Sequence, residues 1–168
     1  MQQLVKLFWE ICLLRKGPQD VPSATVLFWL LLLVGFVVDL FMAANFVEFS
    51  SAIMLVLANM LALFGIVIGL LAVFRYTNRI VQTLTTLIGT GLVFSFLRLP
   101  LMFVFKAMPD NAGMFGMVEI FILIWSLVVV AHVLRHALSI EFFLAGMLSF
   151  GYFMVSYQLA DYFIPQAG

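Results

Sequence analysis

The sequence predicts an all-α polytopic membrane bundle: five transmembrane helices preceded by an amphipathic interfacial helix, in a single integral membrane domain over residues 1–168. Three observations predict it. Hydrophobic residues make up 65% of the chain and mean hydropathy is +1.22, whereas a soluble domain is roughly 45–50% apolar. Charged residues are only 10%, against about 25% in a soluble domain. Five apolar stretches each come near the ~20 residues that a bilayer core requires.

Residues 2–16 form the interfacial helix. Leu4, Leu7, Phe8, Ile11 and Leu14 recur at helical spacing, with Gln3, Lys6, Glu10 and Lys16 mostly on other faces. This segment is too short and too charged to span. It is expected in the membrane plane with its basic groups toward lipid phosphates. Gly17-Pro18 should end it, and Asp20 and Pro22 suit the start of the next helix. The five spans follow at about 24–46, 51–74, 80–105, 114–134 and 140–163. The turns between them are short, so neighbours run antiparallel. The clearest turn is Pro109-Asp110-Asn111-Ala112-Gly113.

Charge sets the expected orientation. Lys6, Arg15 and Lys16 precede the first span, Arg75 and Arg79 lie between the second and third, and Arg135 lies between the fourth and fifth. The opposite ends carry Glu48, Lys106 with Asp110, and Asp161. The positive-inside rule then puts the N-terminus in the cytoplasm and the C-terminus outside. The six cations form a basic cytoplasmic face for anionic lipid or a partner. Eight basic and eight acidic residues cancel, so nothing suggests nucleic acid. The lone Cys12 excludes an internal disulfide or a cysteine metal cluster.

Arg98 is the most informative residue, because a guanidinium inside an apolar span costs roughly 3 kcal/mol or more unless it is answered. At about 1.5 Å per residue, Asp39, Asn59, Arg98 and Glu119 all fall roughly 8–12 Å below the same ends of four different spans. Lipid-facing positions are disfavoured for such groups, so they should point toward one another. One reading is structural: Asp39 and Arg98 pair, and Asn59 and Glu119 complete the hydrogen bonds. The other is a ligand or proton site opening to the outer face. Pro100 removes an amide beside Arg98 and predicts a kink there.

Ala58, Ala62, Gly65, Gly69 and Ala72 form a small-residue stripe on the second span, suited to close approach of another helix, within the monomer before a dimer. Thr83, Thr86 and Thr90 with Gly89 and Gly91 offer a second such face, and Ala145 with Ser149 a third. His132 and His136 stand at metal-ligating spacing, but no third histidine exists, so a metal is the weaker reading. No nucleophile with a base, no phosphate loop and no cofactor motif occurs.

A basic amphipathic N-terminus followed by five spans with the N-terminus inside resembles the Yip (Ypt-interacting protein) membrane-domain superfamily, including its small bacterial members. Segment 79–90, opening on Arg79 and carrying Gln82, Thr83, Thr85, Thr86 and Thr90, resembles the polar start of a middle span in small bacterial inner-membrane proteins. The resemblance implies a bacterial inner membrane and no catalytic residue. The longer N-terminal region with which eukaryotic relatives bind small GTPases has no counterpart here. The leading expectation is a non-enzymatic scaffold or partner-binding subunit, contacting the lipid bilayer and another membrane protein or itself. The alternative is a small transporter or a proton- or ion-coupled component using the polar layer. Water access to that layer separates the two.

Overall fold

The computed structural model describes residues 2–108 and 112–163, the side chains of Gln2 and Ala112 excepted. The expected turn at Pro109, Asp110 and Asn111 lies outside the described residues. Among those described, every regular element is helical: α1 (Gln2–Cys12), α2 (Thr25–Ala43), α3 (Phe49–Val73), α4 (Ile80–Ala107), α5 (Ala112–Leu138) and α6 (Phe142–Phe163). Five helices, α2 to α6, are long and apolar enough to cross a membrane, which makes this a multi-pass membrane fold.

The spans form a ring in the order α2, α4, α5, α6, α3 and back to α2. The ring is most fully packed at one end. At the end where α3 and α5 finish and α4 and α6 begin, Val67, Leu71, Leu84, Leu87, Leu134, Leu138 and Ala145 are buried in one cluster. Ala145 and Ser149 are the buried residues of α6. Both are fully buried, and Ser149 Oγ donates to the Leu127 carbonyl of α5 at 2.8 Å. Small residues at four-residue spacing permit this.

Three helices that finish at this end stop without glycine. Leu14, Arg75 and Ser139 take left-handed backbone, with φ of 60, 62 and 55°. Each is followed by an amide that reaches back past a full turn: Arg15 N to Glu10 O at 2.9 Å, Tyr76 N to Leu71 O at 2.7 Å and Ile140 N to Arg135 O at 3.2 Å. This is the Schellman closure, in which glycine usually takes the left-handed position. A side chain there costs about 1 kcal/mol. The expectation that Gly17-Pro18 ends α1 is therefore corrected: the helix stops at Cys12, through Leu14. Pro18 to Asp20 instead form a single tight turn, closed by the Gly17 amide donating to Asp20 Oδ2 at 2.9 Å.

Helix α1 is also more firmly placed than an interfacial helix needs to be. It lies against α4 and α5, with Phe8, Ile11 and Cys12 buried. The Phe8 ring occupies the space that a side chain on Gly89 would need, and only glycine leaves α4 open to it. The Trp125 indole N–H donates to the Cys12 carbonyl at 2.8 Å, and the Trp9 ring meets Trp125 edge-on at 6.1 Å. Gln82 Nε2 donates to the Val21 carbonyl at 2.8 Å, holding the linker down as well. Burial pushes the Cys12 thiol up to about 12, so it is inert.

Candidate functional site

At the end opposite α1, the ring does not fill. A half-open cavity of about 550 Å³ lies among all five spans. It runs from Leu87 and Val130, at the edge of the packed cluster, to Phe46 and Leu55 at the far end. Asp39, Asn59 and Arg98 line it, as do Ser95 and Tyr152. A second cavity of about 330 Å³ is lined by Glu119 and shares Met42, Phe46 and Arg98 with the first. The four residues of the predicted polar layer thus stand around two adjoining cavities, and Arg98 sits on their common wall.

The pairing within the layer differs from the expectation. Arg98 Nε lies 2.7 Å from Glu119 Oε1, so its partner is Glu119 and not Asp39. The contact is one of charge: the Nε–H is not aimed along a hydrogen bond. The side chains retain 30% and 48% of their surface, so this is a pair on the cavity wall. Asp39 instead accepts a hydrogen bond from Ser95 Oγ at 3.0 Å. Arg98 remains close enough to act on it electrostatically, and Tyr152 of α6 lines the same cavity. The reason lies in helix geometry. Ser95 and Arg98 are three residues apart and share a face of α4. The shorter arm meets Asp39 of α2, and the longer one swings across to α5.

Asn59 does not complete the ion pair either. Its Nδ2 donates to the Leu55 carbonyl of its own helix at 3.1 Å. Helix α4 runs unbroken through Pro100, which faces outward and lines neither cavity. At the mouth, Lys106 Nζ donates to Asn45 Oδ1 at 2.7 Å and ties α4 to α2.

Three other expected features change meaning. The glycines of the α3 stripe face open space among the described residues: a side chain added at Gly65 or Gly69 would meet nothing within 4 Å, and Ala72 is exposed while Ala58 and Ala62 are half-buried. The threonines of α4 are buried, yet Thr83, Thr86 and Thr90 donate to carbonyls one turn back in their own helix at 2.8, 2.7 and 2.9 Å. Among the described residues they make no cross-helix bond. The histidines hold structure: His132 Nε2 meets the Lys16 carbonyl at 2.9 Å and His136 Nδ1 the His132 carbonyl at 2.8 Å. Among the described residues no group of three or more metal-binding side chains occurs.

The basic residues divide into two kinds. Arg79 Nη1 donates to the Ala137 carbonyl at 3.1 Å and the His136 carbonyl at 3.3 Å, closing the end of α5, and its guanidinium lies 4.6 Å from the Tyr76 ring centre. Lys16 lies 2.8 Å from Glu10 and Lys6 lies 4.0 Å from it. The Lys16 contact holds the Glu10 carboxyl below its ordinary range and raises Lys16 in return. Arg15, Arg75 and Arg135 are exposed.

Ser95, Ser126 and Tyr152 are site residues that sequence reasoning missed. The spacing of Ser95 to Arg98 carries a signal for the first. No family model, curated protein or solved structure matches the chain.

Proposed function

We propose that this chain is a solute-binding component of a bacterial inner membrane, a small transporter or ion-coupled protein, whose site is the cavity at Asp39, Asn59 and Arg98. One observation carries the reading: all five spans leave a half-open space at the level of their intramembrane charges. A structural ion-pair layer would be packed shut around its charges, since buried pairs are stable only when solvated or fully hydrogen-bonded. Here Asp39 is accessible. The chain is read as non-enzymatic, with no cofactor and with the bilayer as its surroundings. Arg15, Arg75 and Arg135 at the α1 end support a cytoplasmic N-terminus, so the cavity opens outward. The ring of five spans behind a leading helix is compatible with a Yip-like membrane domain.

A scaffold role keeps one observation in its favour. The open face along Gly65 and Gly69 suits a helix from another membrane chain or a second copy.

The test is occupancy. Gly91 lines the cavity, and a side chain there meets nothing within 4 Å, so Gly91→Phe fills the space. A thermal-shift survey of small solutes in detergent should find at least one that stabilises the wild type and not Gly91→Phe. If none separates the two proteins and Gly91→Phe is itself more stable, the cavity is a packing void and the reading fails. For orientation, a cysteine at Ser50 should react with an impermeant reagent on intact cells and one at Asn78 should not.

A further inference from the structure

Several hydroxyl and amide donors around the cavity are turned to partners within the protein. Ser95 donates its hydroxyl proton to Asp39 at 3.0 Å. Ser126 donates to the Leu123 carbonyl at 2.7 Å, and Thr90 to the Thr86 carbonyl at 2.9 Å. The Asn59 amide nitrogen must face the Leu55 carbonyl, because a carbonyl only accepts. Each of these groups thus spends one donor within the protein. The Asp39 carboxylate and the Asn59 Oδ1 remain as acceptors on the cavity wall, beside Arg98 and the Tyr152 and Ser156 hydroxyls.

Charge points the same way. Arg98 is answered by Glu119 at 2.7 Å. Asp39 has a neutral hydroxyl as its hydrogen-bond partner and no cation within ion-pair distance among the described residues. Asp39, Arg98 and Glu119 therefore sum to one net negative charge, inside a region where an unanswered carboxylate is strongly disfavoured. The rest of the wall is apolar and aromatic, with Phe46, Phe64, Phe94 and Phe153 on it. Ring faces attract cations, most strongly where water is excluded.

We propose that the cavity takes an amphipathic organic cation, with its ammonium group at Asp39 and the Asn59 Oδ1 and its apolar body among the rings. This rests on the reading of the cavity as a binding site. A zwitterion would need Arg98 for its anionic end, and Glu119 already holds that guanidinium.

Three probes with one body test it: phenylbutylammonium, phenylbutanol and phenylbutyrate. Binding is measured by calorimetry on the full chain in phosphatidylcholine nanodiscs, with empty nanodiscs subtracted. The wild type should bind the ammonium about tenfold more tightly than the alcohol, as one unscreened charge contact allows, and the carboxylate most weakly. Asp39→Asn should erase the preference of ammonium over alcohol, and Gly91→Phe should abolish binding of all three. If Asp39→Asn does not fold, Ser95→Ala serves: it frees the carboxylate of its donor and should strengthen ammonium binding. Weaker ammonium binding in Ser95→Ala overturns the proposal. So does equal binding of alcohol and ammonium, or tighter binding of the carboxylate; if Gly91→Phe still abolishes that binding, the cavity reading survives alone. Binding of none of the three, or binding that Gly91→Phe leaves untouched, overturns both.

Discussion

The two ends of this bundle handle polarity in opposite ways, and α4 passes through both. From Thr83 to Thr90 the helix is buried without a break; beyond Phe94, Met102 is its sole buried residue. At the α1 end the α4 threonines each donate to a carbonyl one turn back, so they pack like apolar residues. At the far end stand charges, which no helix satisfies internally, and they hold the spans apart around open space. A hydroxyl can be absorbed by one helix. A carboxylate or guanidinium needs a second helix, water or a ligand.

The packed end depends on one close approach. Gly89→Leu places a side chain where the Phe8 ring sits. Overpacking of this sort costs about 1–3 kcal/mol, and the cheapest escape is for α1 to leave. The expected result is a lower melting temperature together with new reactivity of Cys12 toward a permeant maleimide. A Cys12 that stays silent with unchanged stability would mean that α1 adds nothing to this end.

The open end is probed by its charges. Arg98→Gln and Glu119→Gln should each destabilise by about 2 kcal/mol, below the 3–5 of a fully buried pair because both side chains are partly accessible. The double variant should recover much of that. Asp39→Asn combined with Arg98→Gln should instead show a coupling well below that of Arg98 with Glu119. Strong coupling between Asp39 and Arg98, with none between Arg98 and Glu119, would restore the pairing first expected from the sequence.

The smallest effect lies on the surface of α1. Glu10 is depressed by Lys16, so its contribution is present above the unfolded carboxyl value and fades as pH falls through the folded one. Lys16 is raised by Glu10, so its contribution is present below the unfolded ammonium value and fades as pH rises through the folded one. The pair should therefore add a little stability between those ranges. Glu10→Gln should flatten the melting profile there; an unaltered profile would show that the pair contributes nothing, as many exposed pairs do not.

The sequence carried the spans through hydropathy and the polar layer through depth, because both follow from the rise of a helix. It did not carry who pairs with whom. Asp39 and Arg98 share a level, but the choice of Glu119 depends on rotation about α4 and on Ser95 arriving first. The end of α1 was expected at Gly17 because Leu14 gives no compositional sign of a left-handed residue. The stripe at Gly65 and Gly69 was read as an internal face because small residues mark closeness without saying to what. The converse holds for Gly89, where a single glycine admits a ring from a distant segment and periodicity has nothing to say.

The central claim is that one end is sealed and the other open, and two near-isosteric substitutions on α4 test it. Thr86→Cys lies in the sealed end and Ser95→Cys beside Asp39, nine residues along the same helix. The native Cys12 is buried and inert, so it adds no background. In nanodiscs, a charged methanethiosulfonate should modify Ser95→Cys readily and leave Thr86→Cys untouched. Equal rates at the two positions, whether both fast or both nil, would contradict the account.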